Sequence, residues 1–148
     1  MAASWDAIGE RILLFGGIPA TGLTFFDTWA WDGNQWKQVA DIGPTARGGH
    51  AMATDGKRVL LFGGKAFLID APTGQATGEQ MEGDTWAWNG TRWVQIQDIG
   101  PAPRWDHALA FDDVRHTFVL FGGSDRTGFF GDTWEPSDRA AVNPGGNP

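Results

Sequence analysis

An apolar run closed by two glycines occurs three times in this chain, as Ile12-Leu-Leu-Phe-Gly-Gly17, Val59-Leu-Leu-Phe-Gly-Gly64 and Phe118-Val-Leu-Phe-Gly-Gly123. After a variable loop each copy leads into the same tripeptide: Asp27-Thr28-Trp29, Asp84-Thr85-Trp86 and Asp132-Thr133-Trp134. The same pieces in a fixed order mark a repeat architecture, whose units bury their apolar surface only against one another. The Phe-Gly-Gly copies are 47 and 59 residues apart and the Asp-Thr-Trp copies 57 and 48. One insertion, about ten residues between Lys65 and Gly83, accounts for both irregularities. Without it the unit is 47 to 48 residues long.

Every local signal inside a unit is for strands. Ala51–Thr54, Asp55-Gly56 and Lys57–Phe62 read as one hairpin, and Thr85–Trp88, Asn89-Gly90 and Thr91–Ile96 as a second. Asp32-Gly33 plays the same part between Trp31 and Trp36. Asx-Gly pairs favour two-residue type I′ turns, in which both central residues take positive φ. Two hairpins per unit give a four-stranded antiparallel sheet. Val59–Phe62 is a continuous apolar run, as in a strand covered on both faces. Trp86 and Trp88 alternate with Thr85 and Ala87, which puts both indoles on one face, where a stacked neighbouring sheet would bury them. No helical periodicity with caps is visible, and the fold class is all-β.

A period of this length is near the ~50 residues of one propeller blade type. The double glycine after an apolar strand, Asp-Thr-Trp-x-Trp, and a further Trp seven residues on (Trp29 to Trp36, Trp86 to Trp93) together resemble the kelch family of β-propellers. So does the Pro-x-x-Arg-x-x-His lead-in, present as Pro44, Arg47, His50 and as Pro101, Arg104, His107. The resemblance spans residues 4 to 135 and implies three blades, at about 1–45, 46–102 and 103–135, ahead of a flexible tail over 136–148. The third unit lacks a clear fourth strand, for which Ala140–Val142 is a weak candidate.

Propellers have four to eight blades, so three blades leave two faces bare. One buried aromatic covers ~150–250 Å², worth ~4–6 kcal/mol at ~25 cal/mol per Å² as an upper bound. Several exposed indoles would therefore rival the ~5–15 kcal/mol stability of a whole domain. Closure is expected from a second chain, giving a head-to-tail homodimer with six blades; a longer chain supplying the missing blades is the competing reading.

Composition narrows the function classes. The net charge is −7 and the 11 Lys and Arg are dispersed, whereas nucleic acid and anionic membranes need concentrated positive surface. Neither is expected as a partner. The absence of cysteine removes disulfides, thiol nucleophiles and cysteine metal sites. No stretch approaches the ~20 apolar residues of a membrane span. The start Met1–Asp6 has no leader pattern, which favours a cytoplasmic location as an expectation.

The candidate chemical groups are mostly repeated, and repetition speaks for structure. No helix pattern or Gly-Lys-Ser/Thr follows the paired glycines, so they are strand ends rather than phosphate loops. Asp27, Asp84 and Asp132 recur at one position, where each is expected to cap a turn or take backbone amides. A catalytic pair needs unlike settings. His50 and His107 are expected to satisfy buried backbone groups, and His116 to be solvated in a turn. Trp5 aligns with Met52. Asn89-Gly-Thr91 matches a glycosylation sequon but reads as a hairpin turn. Trp105 breaks the repeat: Arg104-Trp-Asp-His107 stands against Arg47-Gly-Gly-His50.

The kelch resemblance implies more about function. Loops before the first strand and after the double glycine commonly form the family's recognition surface around the channel. Here these are Gly49 and Asp106, then Ile18, Lys65 and Ser124, with Asp125 and Arg126 adjacent. Trp105, Asp106, Lys65, Asp125 and Arg126 are the candidate ligand-binding set, with no catalytic residue, metal site or cofactor assigned. The inserted Phe67-Leu-Ile69 is expected to be packed on a blade or covered by a partner. Kelch arginines commonly bond between blades, a role implied for Arg47 and Arg104. The favoured function is a non-enzymatic module presenting loops to a protein, peptide, glycan or small ligand. The alternatives are a sugar-processing enzyme resembling the sialic-acid mutarotases and a purely structural propeller. Copper-radical oxidase chemistry needs tyrosine and cysteine, both absent, and the Glu-x-x-x-Asp-x-x-x-His iron pattern of the plant specifier proteins is not found.

Overall fold

A computed structural model describes residues 1–19, 24–70, 72–97 and 100–135. The tail over 136–148, with the candidate strand Ala140–Val142, lies outside them. Among the described residues there is no helix, and three successive sheets carry the repeats. The first sheet is a meander of β1 (Ala2–Asp6), β2 (Arg11–Gly17), β3 (Phe25–Trp31) and β4 (Trp36–Ala40). The second comprises β5 (Ala51–Thr54) and β6 (Val59–Phe62), then, beyond the insertion, β9 (Thr85–Trp88) and β10 (Trp93–Gln97). In the third, β11 (Ala108–Asp112), β12 (Thr117–Phe121) and the two-residue β13 (Thr133–Trp134) are paired in order. The insertion is a separate hairpin of β7 (Lys65–Asp70) and β8 (Gln75–Met81). Its apolar residues join neither core cluster, and Leu68 is half exposed.

The hairpin turns differ from expectation. In the three Asx-Gly turns positive φ is confined to the glycine: Gly33, Gly56 and Gly90 have φ of 96°, 80° and 92°. The Asx residue stands before the two central residues, and its side chain takes backbone amides. Asp32 Oδ1 accepts from Asn34 and Gln35, Asp55 Oδ1 from Lys57 and Arg58, and Asn89 Oδ1 from Thr91 and Arg92. An Asx side chain that mimics a backbone turn removes the need for its own residue to adopt positive φ. Counted from the equivalent positions Ile12 and Val59, the β1–β2 connection is two residues longer than β5–β6, since Trp5 pairs with Ile12 across six residues and Thr54 with Val59 across four. Trp5, opposite Ile12, is therefore equivalent to Thr54, opposite Val59, and not to Met52.

The blades pack through two dissimilar faces. One face of the second sheet, with Met52, Val59, Leu61, Trp88 and Trp93, meets Leu13 and Phe15 of the first. Its other face, with Ala53, Leu60 and Ala87, meets Phe118 of the third. β6 lies between these layers and is buried at all four positions, which is why its sequence does not alternate. Polar pins fix the register across the first interface. The Trp88 indole donates to Asp6 Oδ2 at 3.0 Å and the Trp93 indole to Thr28 Oγ1 at 2.9 Å. Arg11 donates to the Gly90 carbonyl at 3.0 Å.

Each lead-in arginine bridges strands of its own sheet. Arg47 is fully buried; both terminal nitrogens bond the two carboxylate oxygens of Asp84, and Nη1 also donates to the Gly63 carbonyl at 3.2 Å. Arg104 repeats this with Asp132, at 2.6 and 3.0 Å, and the Gly122 carbonyl at 2.9 Å. The side chains therefore do not bond between blades, as the resemblance implied. The backbone does: the Arg47 carbonyl accepts from Gly17 at 2.9 Å and the Arg104 carbonyl from Gly64 at 2.8 Å. The repeated aspartates do not take backbone amides through their side chains either. Asp84 and Asp132 take an arginine, and all three accept the indole N–H of the Trp two residues on, as Trp29 to Asp27 and Trp86 to Asp84, both at 2.6 Å, and Trp134 to Asp132 at 2.5 Å. Burial opposes ionisation of Asp84, but the bonds from Arg47 and Trp86 outweigh it and hold its pKa below the ordinary carboxylate value.

Removing one partner of a buried charge pair strands the other, at a cost of about 3–5 kcal/mol. Arg47→Ala is accordingly expected to lower unfolding free energy by that amount in urea titrations. Lys37→Ala, which removes the exposed pair with Asp32, should leave the urea midpoint essentially unchanged, because solvent screens such pairs.

Candidate functional site

The paired glycines create the loop surface. Gly63 has φ 67° and Gly64 φ 103°, and a Cβ on either would stand 2.6 Å from the Arg104 carbonyl or 2.9 Å from the Gly48 carbonyl. The next blade's lead-in backbone occupies the space at Gly63 and the blade's own lead-in occupies it at Gly64, so the strand ends and the lead-ins are stitched together. Gly48 and Lys65 exchange backbone bonds at 2.8 and 2.9 Å, as do Trp105 and Ser124 at 2.9 and 3.0 Å. The Asp106 amide donates to Gly49 of the preceding lead-in at 2.7 Å. These bonds assemble Lys65, Trp105, Asp106, Asp125 and Arg126 into one strip on the Gly-Gly end of the blades.

Within the strip the five side chains are not equivalent. Lys65 Nζ lies 3.5 Å from the centre of a Trp105 ring and 3.0 Å from Glu79 Oε1 on the inserted hairpin. A cation over an indole face is attracted by the ring's negative face, so this lysine holds Trp105 and the hairpin together. Asp125 is engaged in its own loop: Oδ1 accepts from the Thr127 hydroxyl and amide, both at 2.7 Å, and from the Gly128 amide at 3.1 Å. The Thr127 side-chain bond, then the amides, lower its pKa. Asp106, at φ 53°, and Arg126 are exposed and have no side-chain hydrogen bond or ion pair among the described residues. They are the two charges free to meet a ligand.

Trp105, Asp106, Asp125 and Arg126 line a cleft of about 700 Å³, which continues down to Phe121 and Phe129. Lys65 stands behind Trp105 and is not on its wall. Phe129, 93% exposed, was not picked out from the sequence because it lies in the loop that varies between repeats. The lower wall is a blade face: Phe121 is 55% exposed, while its equivalents Phe15 and Phe62 are 0% and 4% exposed against a following blade. Among the described residues no three of His, Asp and Glu converge as metal ligands.

A search of protein-family models finds no match. Among curated proteins, an F-box/kelch-repeat protein of Arabidopsis thaliana is 30% identical over 144 residues, covering 88% of this chain and 29% of its own length. Acyl-CoA-binding domain-containing protein 4 of Arabidopsis thaliana is 30% identical over 100 residues, covering 64% and 14%. The solved structure of YjhT superposes with a TM-score of 0.68 at 16% identity, over 89% of this chain and 40% of that one. The fold is a kelch-like β-propeller arrangement. The chain spans less than a third of the length of these curated relatives.

The lead-in histidines correct another expectation. His50 and His107 are buried at 5% and 7% exposure, yet neither ring nitrogen of either meets a partner in hydrogen-bonding geometry. The nearby Phe15 and Phe62 carbonyls favour the protonated rings only weakly. Each ring instead packs edge-on against the preceding blade's phenylalanine, with centres 5.4 Å apart for Phe15–His50 and for Phe62–His107. They act as polarisable wedges between blades. Burial, reinforced by neighbouring cationic charge, lowers their pKa values to about 3 for His50 and about 4 for His107. The unfolded chain, with histidines near 6.5, therefore binds more protons between pH 6.5 and 4. Stability should be full above pH 6.5 and fall as pH drops through that window, by roughly 1 kcal/mol per histidine per pH unit. Urea midpoints across pH 4–7 measure the slope, and His50→Phe with His107→Phe should flatten it.

Proposed function

We propose that this chain is a non-enzymatic interaction module that binds a partner protein or peptide along the strip formed by Trp105, Asp106 and Arg126. The observation that carries the reading is the contrast within the strip. Lys65, Glu79 and Asp125 are consumed in holding it rigid, while Asp106 and Arg126 stand free with opposite charge beside a partly exposed indole. A preorganised aromatic flanked by unpaired charges suits a polar extended segment with one charge of each sign, and Trp and Arg are the residue types that dominate interface energetics. The threonine hydroxyls bonded to carboxylates, Thr45 to Glu82, Thr73 to Asp70 and Thr127 to Asp125, have no histidine bonded to them among the described residues, so no triad-like constellation is assembled there. The relative named as an F-box/kelch-repeat protein supports a binding role for such blades.

A sugar-processing reading would use the same cleft, with Asp106 and Arg126 as its free polar groups. Anomer exchange of N-acetylneuraminate, followed by proton NMR, tests it: catalysis that disappears with Asp106→Asn would displace the binding reading.

Panning a random peptide library against the full chain should enrich binders with micromolar Kd by calorimetry. Trp105→Ala and Arg126→Ala should each weaken them by about 10-fold or more, with the far-UV spectrum unchanged. Asn34→Ala, in a hairpin at the opposite end of the strands, should have no effect. If no peptide depends on Trp105 or Arg126, the strip is not the binding surface.

A further inference from the structure

The interface between the first and second blades seats an indole for which the next interface has no counterpart among the described residues. Trp93, on the outer strand β10, donates its N–H to Thr28 Oγ1 at 2.9 Å and stands edge-on to Phe15, with ring centres 5.7 Å apart at 69°. Leu13 belongs to the same cluster. Gly43 has no room for a side chain there, because a Cβ would lie 2.6 Å from Trp93 Cδ1.

The second blade repeats this wall on its far side. Leu60, Phe62, Thr85 and Gly100 are the equivalents of Leu13, Phe15, Thr28 and Gly43 in the repeat register. With Leu109 and Leu120 of the third blade they line one small cavity. Phe62 meets the His107 ring as Phe15 meets His50, but it has no second aromatic partner among the described residues. The Thr85 hydroxyl makes no hydrogen bond there either. A Cβ on Gly100 would meet Phe62 at 3.1 Å and nothing of the third blade. The amino-acid order supplies the reason: Trp36 and Trp93 each stand seven residues after the first tryptophan of their motif, and that spacing falls on Ala141 in the third unit.

We propose that this cavity binds a small planar aromatic carrying a ring N–H, of the indole class. An apolar cavity that no side chain fills takes small apolar guests, and this one adds a single hydroxyl acceptor. The ring lies edge-to-face with Phe62, as Trp93 does with Phe15, and its N–H donates to Thr85 Oγ1. The enclosed end measures about 10 Å³, the room of one water. The rest of the ring occupies the outer side, from which Trp93 enters its own seat. The chain itself runs on past Trp134, so the ligand brings a ring and not a strand. None of Trp105, Asp106 and Arg126 lines the cavity, and the site is independent of the function proposed for their strip.

Indole itself is the probe, titrated into the full chain and followed by leucine methyl NMR. The methyls of Leu60, Leu109 and Leu120 should shift together and saturate with a Kd of about 0.1–1 mM, as suits so small a ligand. Benzofuran, with the same shape and no N–H, should bind about 5-fold more weakly, the worth of one hydrogen bond. That comparison needs no variant. Thr85→Val should bring indole down to the benzofuran level and leave benzofuran unchanged. N-acetyltryptophanamide, which carries the ring on a backbone, should bind no better than indole. Shifts confined to other leucines, a lack of saturation, equal affinities for indole and benzofuran, or a difference that survives Thr85→Val would each overturn the proposal. Tighter binding of the amide would assign the cavity to a partner's tryptophan and overturn it as well.

Discussion

A four-stranded sheet of this kind has two apolar faces and cannot bury either alone. The interface between the first and second blades shows what satisfies it: one face supplies tall indoles, the other supplies leucine, phenylalanine and small residues, and polar pins at the ends fix how they mesh. Trp88 is fully buried and still hydrogen-bonded. That combination needs a carboxylate placed by a turn on the neighbouring blade, since a buried indole N–H without an acceptor is costly. Apolar area brings the blades together, and the pins select one register among many.

The same constraint organises the loop surface. Strand ends must turn away where the next blade's lead-in crosses, which leaves room for glycine backbone alone. The arginine that anchors the lead-in bridges strands of its own sheet through its side chain, while its backbone carbonyl holds the preceding sheet. A single residue thereby couples strand closure to blade stacking. The loops displayed beyond these anchors inherit their rigidity, so the second-blade insertion can hold Lys65 over Trp105 without disturbing the core.

Much of this was legible in the residues. The three copies of the apolar run and Asp-Thr-Trp give the sheets, the uninterrupted Val59–Phe62 gives a strand covered on both sides, and alternation puts Trp86 and Trp88 on one face. Less was legible wherever a side chain chooses between partners of equal chemical merit. Asp84 could have capped backbone amides, but it takes Arg47 and the Trp86 indole because the arginine arrives buried and must be neutralised. The Asx-Gly turns place the glycine alone at positive φ because the Asx side chain itself satisfies the amides. Trp5 was misaligned because two residues in a turn shift equivalence without altering the pattern of apolar positions.

The residues on their own determined a repeated all-β unit, its turns and the faces that must be hidden, because periodicity and glycine placement are local properties of a chain. The kelch resemblance, carried onto the repeat positions, put Trp105, Asp106 and Arg126 on one loop surface as an expectation. Only the tertiary structure decided which of these groups are free. Pairing depends on distances set by the fold: Lys65 is spent on Glu79 and Trp105, Asp125 on its own loop, and among the described residues Asp106, Arg126 and Asp27 are left without a charged partner.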